Sequence, residues 1–367
     1  MQIAIVGLAG SGKTTVFNTL TRGHAETGGY GGVTLNVGVV KVPDERLERL
    51  AEIFKPRKIV QADVTYADLP APPASTDGRI GTDELPADHL ARLRDSDALL
   101  HVVRAFEDPA HPHPAGSVDP ARDLDQLDLE FTLADLAMAE RRLERLKGSA
   151  RHGTQAEREA AEREEIVLQR IHEGLEAGTP IRDLGLDDDE ERAIRGFRFL
   201  TQKPVLVLLN VGEGDVAREP ELVTATTERY RHEHALVDAL SARIEMELGE
   251  LEPDEAAAFM EELGITGSSL DRVIALSYRL LGLVSFLTAG PDEVRAWPIP
   301  DGSTAVDAAG AIHTDLAKGF IRAETIAYDD LLTLGSMAEA KRAGRLRSEG
   351  KTYRVRDGDV LEILFSR

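Results

Sequence analysis

Near its start the chain reads QIAIVGLAGSGKTTVF, and residues 7–15, GLAGSGKTT, constrain the fold more than any other stretch. Gly7, Gly12, Lys13 and Thr14 keep the GxxxxGK[ST] spacing of a phosphate-binding loop. A short, apolar, β-branched run feeds this loop and helical spacing follows it, so the loop is predicted to join a strand to a helix. Gly7, Gly10 and Gly12, with Ser11 between them, let backbone N–H groups converge on phosphate oxygens. Lys13 then brings a point charge to the β- and γ-phosphates, and Thr14 a hydroxyl to Mg²⁺. Thr15 continues the helix whose N-terminal dipole favours the anion.

The rest of the chain must be large enough to use such a loop. At 367 residues it is expected to form two or three domains. It has no cysteine, which excludes thiol catalysis and Cys zinc sites. No secretory signal is read at the start, and the densest apolar run, VLVLL, falls far short of the ~20 residues of a spanning helix. The expected location is cytoplasmic, with no membrane partner. The net charge of −22 repels nucleic acid on average. One stretch opposes it: residues 341–356, KRAGRLRSEGKTYRVR, set Lys341, Arg342, Arg345, Arg347, Lys351, Arg354 and Arg356 against Glu349. This reads either as a solvated basic surface or as a local RNA contact.

Buried strands are expected at QIAIV, DVTYADL, ALLHVVRAF, PVLVLLNV and ALVDALSA, with helical patterns between several of them. That alternation predicts an α/β fold, a mostly parallel sheet covered on both faces. In the middle, Leu129, Leu133, Leu136 and Leu143 form a heptad stripe, and a second charged helix presents Leu168, Ile171 and Leu175. The pair is read as an inserted antiparallel hairpin, a coiled coil, with two ordinary surface helices as the other reading. The composition changes again near residues 288–291, and the chain ends in an α+β module in which YRVRDGDVLEILFSR reads as strand, Asp-Gly turn, strand. The expected division is a nucleotide-binding domain over residues 1–124 and 198–282, a helical insertion over 125–197 and a terminal module over 283–367.

A nucleotide switch needs two further groups near the γ-phosphate. Thr34, in YGGVTLNVG, is placed for a loop that closes onto Mg²⁺, and Asp68, ending VTYAD, for a strand end that reaches it. For the base, LLNVGE places Asn210 and Glu213 beyond a buried strand. Guanine-specific switches use Asn-Lys-x-Asp there, whereas this chain has Val211 and Glu213 in place of the Lys and Asp. Loss of guanine discrimination follows, because guanine's paired donors need a well-placed carboxylate. The next strand, ending at Ser241 and Ala242, is expected to offer backbone groups to the base.

Together with DALLHVVRAFED, LGITGSSLDRVI and FLTAGPDEVRAWPI, these elements resemble the Obg-like ATPase (YchF-type) family of translation-factor-class P-loop proteins, almost end to end. The resemblance implies a G-domain-like P-loop hydrolase that prefers ATP, binds Mg²⁺, carries a helical insertion and associates with the ribosome. It also implies that the terminal module is a TGS domain of β-grasp type, carried here by AAGAIHTDLAKGFIRAETIAYDDL and EGKTYRVRDGDVLEILF. It assigns catalytic work to a loop histidine; His113 aligns best and His111 is the second choice. Two departures stand out. Ala9 and Gly10 replace the family's Pro and Asn, so the Asn associated with potassium is missing. After Asp68 the family's Asp-x-x-Gly becomes Asp68, Leu69, Pro70, Ala71, followed by Pro72 and Pro73. Weaker coupling between nucleotide state and conformation, or slow hydrolysis, is the expected consequence. A nucleotide-stabilised binding module without turnover and a GTP-preferring switch are the alternatives.

Overall fold

The computed structural model describes residues 1–23, 35–69, 87–149, 154–265 and 267–366. Thr34 and residues 70–73 lie outside them. The chain divides into two compact units, Met1–Gly38 with Thr65–Val273, and Val39–Val64 with Ile274–Arg367.

The first unit is built on a sheet of order β2-β4-β1-β5-β6-β7, comprising β1 (Gln2–Val6), β2 (Asn36–Lys41), β4 (Asp63–Asp68), β5 (Ala98–Ala105), β6 (Val205–Val211) and β7 (Ala235–Leu240). β1 runs parallel to β4 and β5, β5 to β6, and β6 to β7. The five buried strands read in the sequence are thus present. β5 and β6 are buried nearly throughout, as continuous apolar runs must be when both faces of a sheet are covered. The register sets Ile5 beside Asp68 and Arg104 beside Asn210. The carboxyl ends of the central strands therefore carry the polar residues, at the edge where parallel sheets bind ligands.

The helical hairpin comprises Pro120–Ser149 and Gln155–Glu176, the second started by a capping box at Thr154. Leu168, Ile171 and Leu175 are buried in it as read, with Ala139, Leu146 and Phe199 opposite. The heptad stripe is corrected. Leu136 and Leu143 pack into this core, but Leu129 and Leu133 are exposed. The first half of the long helix instead turns Leu124, Leu127 and Phe131 into the core of the sheet. One helix serves two cores, so its buried face changes along its length. At the junction Asp135, fully buried, accepts from Arg94 Nη1 (2.7 Å), the N–H groups of Leu200 (3.1 Å) and Thr201 (2.8 Å), and the Thr201 hydroxyl (2.9 Å).

The second unit holds a sheet of order β11-β10-β12-β8-β9-β3, comprising β3 (Lys58–Val60), β8 (Leu283–Ala289), β9 (Glu293–Pro300), β10 (Phe320–Ala327), β11 (Arg347–Glu349) and β12 (Asp359–Phe365). The helix Ala305–Ile312 packs its alanines into this unit's core. Residues 39–64, read in the sequence as part of the nucleotide-binding domain, group with this unit, where Lys58, Ile59 and Val60 pair with Glu293, Val294 and Arg295; only their ends, residues 39–41 and 63–64, lie in strands β2 and β4 of the first sheet. The terminal hairpin is also corrected. The Asp-Gly turn is present, with Gly358 at φ +80° and the Asp359 N–H donating to Arg356, but Tyr353–Arg356 makes only one isolated bridge, from Arg354 to Thr304. β12 pairs with β10 instead. Among the described residues no helix is long and apolar enough to cross a membrane.

Candidate nucleotide site

β1 ends where the loop begins, and the loop cannot carry side chains at its two fixed glycines. A Cβ on Gly7 would lie 2.3 Å from the Val102 carbonyl, and one on Gly12, at φ +91°, would lie 2.3 Å from Asn210 Nδ2. These close approaches press the loop against β5 and β6, and only glycine permits them. The helix Lys13–Thr21 starts directly after, so Lys13, Thr14 and Thr15 occupy its first turn. Lys13 is buried, and its Nζ donates to the carbonyls of Gly7 (2.8 Å) and Leu8 (2.9 Å). Burial pushes its ammonium down to about 8, opposed by the charge of Asp68.

The two candidate Mg²⁺ groups that lie within the described residues meet. Thr14 Oγ1 donates to Asp68 Oδ2 at 3.0 Å. Burial raises the pKa of Asp68, while the Thr14 hydroxyl and the Lys13 charge lower it. Asp68 Oδ1 is buried with no hydrogen-bond partner among the described residues, as is Ser11 Oγ. A hydroxyl and a carboxylate with one unsatisfied oxygen suit a hard cation that takes oxygen ligands and keeps several waters. The residues present fit Mg²⁺.

The base end differs from its sequence reading. Asn210 donates through Nδ2 to the Ser11 carbonyl (3.0 Å) and accepts through Oδ1 from the Ala242 N–H (3.1 Å). It is therefore a strut between the phosphate loop and the turn after β7, and the Ala242 N–H is not free for a base. Ser241 stands at the N-terminus of the helix Ala242–Glu250 with its Oγ buried and unpartnered. Glu213 opens the short helix Glu213–Arg218 at the surface, where its nearest cation is Arg243 Nε at 3.7 Å. Val211, at the position of the switch lysine, is 2% exposed in the sheet's core.

His113 is buried rather than an exposed loop residue. Its Nδ1 accepts from the Ala115 N–H (3.1 Å), so Nε2 carries the proton and donates to Asp123 Oδ2 (2.8 Å). It lines a narrow cleft with Leu8, Ala9, Ser11, His101, Arg104 and Asp123, beside the phosphate loop. His111 faces outward and pairs with Asp108 at 2.9 Å. Sequence reasoning passed over His101, Arg104 and Asp123. The first two had a visible signal: a histidine and an arginine inside the apolar strand ALLHVVRA. Burial drives His101 down to about 3, so it stays neutral.

The lysine's lowered pKa has a measurable consequence. Bound phosphates restore the charge, so above about pH 8 binding takes up a proton and affinity falls by up to tenfold per pH unit. Calorimetry at pH 8.5 in two buffers of different ionisation heat should register uptake of more than about half a proton; none would contradict it.

Strand, phosphate loop and helix, with Asp68 and Asn210 at the carboxyl ends of β4 and β6, define a P-loop nucleotide-binding domain of the GTPase fold. Comparison with known proteins agrees. A family model described as a 50S ribosome-binding GTPase matches residues 2–134, and a YchF-GTPase C-terminal model, described as a protein of unknown function (DUF933), matches residues 283–366. The Ribosome-binding ATPase YchF of Bacillus subtilis (strain 168) is 41% identical over 370 residues, covering 100% of this chain and 99% of that protein. That of Pasteurella multocida (strain Pm70) is 43% identical over 367 residues with the same coverage. The solved structure of the Schizosaccharomyces pombe YchF GTPase matches with a TM-score of 0.84 at 31% identity, over 99% of this chain and 97% of that one. The chain belongs to the YchF family.

Proposed function

We propose that this protein binds Mg²⁺-ATP in the phosphate loop, hydrolyses it slowly, and acts in the cytoplasm as a nucleotide-dependent regulator on the ribosome. The observation that carries the chemistry is the convergence of Lys13, Thr14 and Asp68 on one side of the loop. Thr14 and Asp68 would hold Mg²⁺, with Thr34 of the first switch joining them. The metal supplies charge neutralisation on the phosphate oxygens. Lys13 exchanges its two carbonyl partners for phosphate oxygens, a stronger, charge-assisted pairing. Water attacks the γ-phosphorus, the bond to the β–γ bridging oxygen breaks, and ADP, inorganic phosphate and a proton leave. His113 is the residue we assign to orienting that water.

Relatives named ribosome-binding ATPases support the adenine reading, and so does the base end. Val211 is committed to the core and cannot stack on a purine, and Glu213 sits at the surface beside Arg243. A relative of known structure is named a GTPase, so the test uses both nucleotides. ATP should give the higher kcat/KM and the tighter affinity; equal or reversed values would overturn the adenine assignment.

For ribosome association we favour the basic stretch 341–356 on the second unit. Its charge is partly met inside that unit: Arg347 pairs with Glu349 and Asp359, Arg342 with Glu339, and Arg345 lies 4.0 Å from Asp330. Lys341, Lys351, Arg354 and Arg356 have no ion pair among the described residues; Arg354 donates to the Gly302 carbonyl, and the other three are the groups left for RNA phosphate.

A further inference from the structure

Two arginines are buried among the described residues, and they differ in one respect. Arg94 has a carboxylate, Asp135, at 2.7 Å. Arg104, 2% exposed at the carboxyl end of β5, has no ion pair among the described residues. Its Nε donates to the Phe106 carbonyl (3.1 Å), its Nη2 donates to the His111 carbonyl (2.8 Å), and its guanidinium lies over the Phe106 ring at 4.7 Å. Carbonyls and a ring face orient a cation without neutralising it. A buried charge left in that state is costly, and such a site is retained where an anion completes it.

The third nitrogen shows where that anion would come. Nη1 makes no hydrogen bond among the described residues and points at the phosphate loop, 3.2 Å from where a Cβ on Gly10 would stand. Gly10 has no side chain to fill that space, and its φ of +77° keeps it a glycine position. Arg104 also sits level with Asn210 in the β5–β6 register, so it shares the strand ends that frame the loop. Its two carbonyl partners belong to the segment that leads into His113, which ties its orientation to that segment.

We propose that Arg104 is a phosphate-contacting arginine supplied in cis, whose guanidinium meets the γ-phosphoryl oxygens of the bound triphosphate and the charge that grows there during cleavage. The inference rests on the triphosphate-hydrolase reading above and adds a residue to it. A guanidinium in this role acts mainly on transition-state charge, and its removal costs roughly 10³-fold or more in turnover.

The test compares full-length wild type, Arg104→Ala and Arg104→Lys. Calorimetry with ADP and with a non-hydrolysable ATP analogue is combined with phosphate release from ATP. We expect ADP affinity within about twofold of wild type in both variants, which also reports an intact fold, and analogue affinity down about tenfold in Arg104→Ala, the loss of one charge-assisted contact. Turnover should fall roughly 10³-fold in Arg104→Ala, with lysine rescuing affinity more than rate. Equal losses for ADP and the analogue, or no loss for either, would overturn the proposal. If wild type itself releases no phosphate, the hydrolase reading fails, and the analogue-to-ADP affinity ratio still decides Arg104.

Discussion

Replacing His113 with alanine is expected to lower phosphate release from ATP roughly 10²- to 10⁴-fold, while ATP affinity stays within a few-fold. The expectation follows from how the ring is held. Asp123 Oδ2 accepts the Nε2–H, so Nδ1 is the lone-pair nitrogen of a ring that lines the cleft with Leu8, Ala9 and Ser11. In this conformation the Ala115 N–H occupies Nδ1, and Arg122 Nη2 approaches it at 3.4 Å. Turnover therefore requires water to replace those donors, which makes the loop carrying Ala115 part of the mechanism. Asp123→Asn keeps the shape and loses the acceptor that fixes the tautomer, so it should slow turnover while binding persists. A ring serving only to pack the loop gives another pattern: His113→Ala lowers the melting temperature and leaves kcat unchanged. That result would remove His113 from the mechanism.

The largest effect on stability should come from Asp135→Ala. The carboxylate is fully buried and answers Arg94, two backbone N–H groups and a threonine hydroxyl at once. Its removal leaves the Arg94 cation, itself 8% exposed, without its ion-pair partner in a dry site. Breaking one side of a buried pair costs about 3–5 kcal/mol. Asp135→Asn, which keeps the shape and some hydrogen bonds, should cost less, about 1–3 kcal/mol. Urea denaturation with an unchanged slope is the measurement. A loss below about 1 kcal/mol in the alanine variant would show that the junction is held elsewhere.

The residues that were legible in the sequence are those whose neighbours lie close along the chain. QIAIV, the glycine loop and Lys13–Thr21 form one continuous strand–loop–helix, and their spacing carries the chemistry. Asp68 was legible as the polar end of an apolar strand, and its meeting with Thr14 follows from β1 and β4 pairing in register. What stayed hidden depends on distant partners. Lys58–Val60 is three residues long, and nothing in KIV announces Glu293–Arg295 as its partner. Leu129 and Leu133 keep a heptad rhythm but face solvent, because the helix hands its burial from the sheet to the hairpin along its length. Asn210 was legible as a site residue, yet its struts to Ser11 and Ala242 lie 199 and 32 positions away. Arg104 was visible as a charge inside an apolar strand, and only the missing carboxylate beside it gives that charge a meaning.

The cradle of Lys13, Thr14 and Asp68 is expected to turn over ATP despite Gly10 and the proline-rich stretch after Asp68. Phosphate release from Mg²⁺-ATP by wild type, set against Lys13→Ala at the same protein concentration, tests it most directly. Slow wild-type release that falls on the order of 100-fold in the variant is the predicted result. Identical release from the two proteins, at the level of buffer, would mean that nucleotide is held without being cleaved.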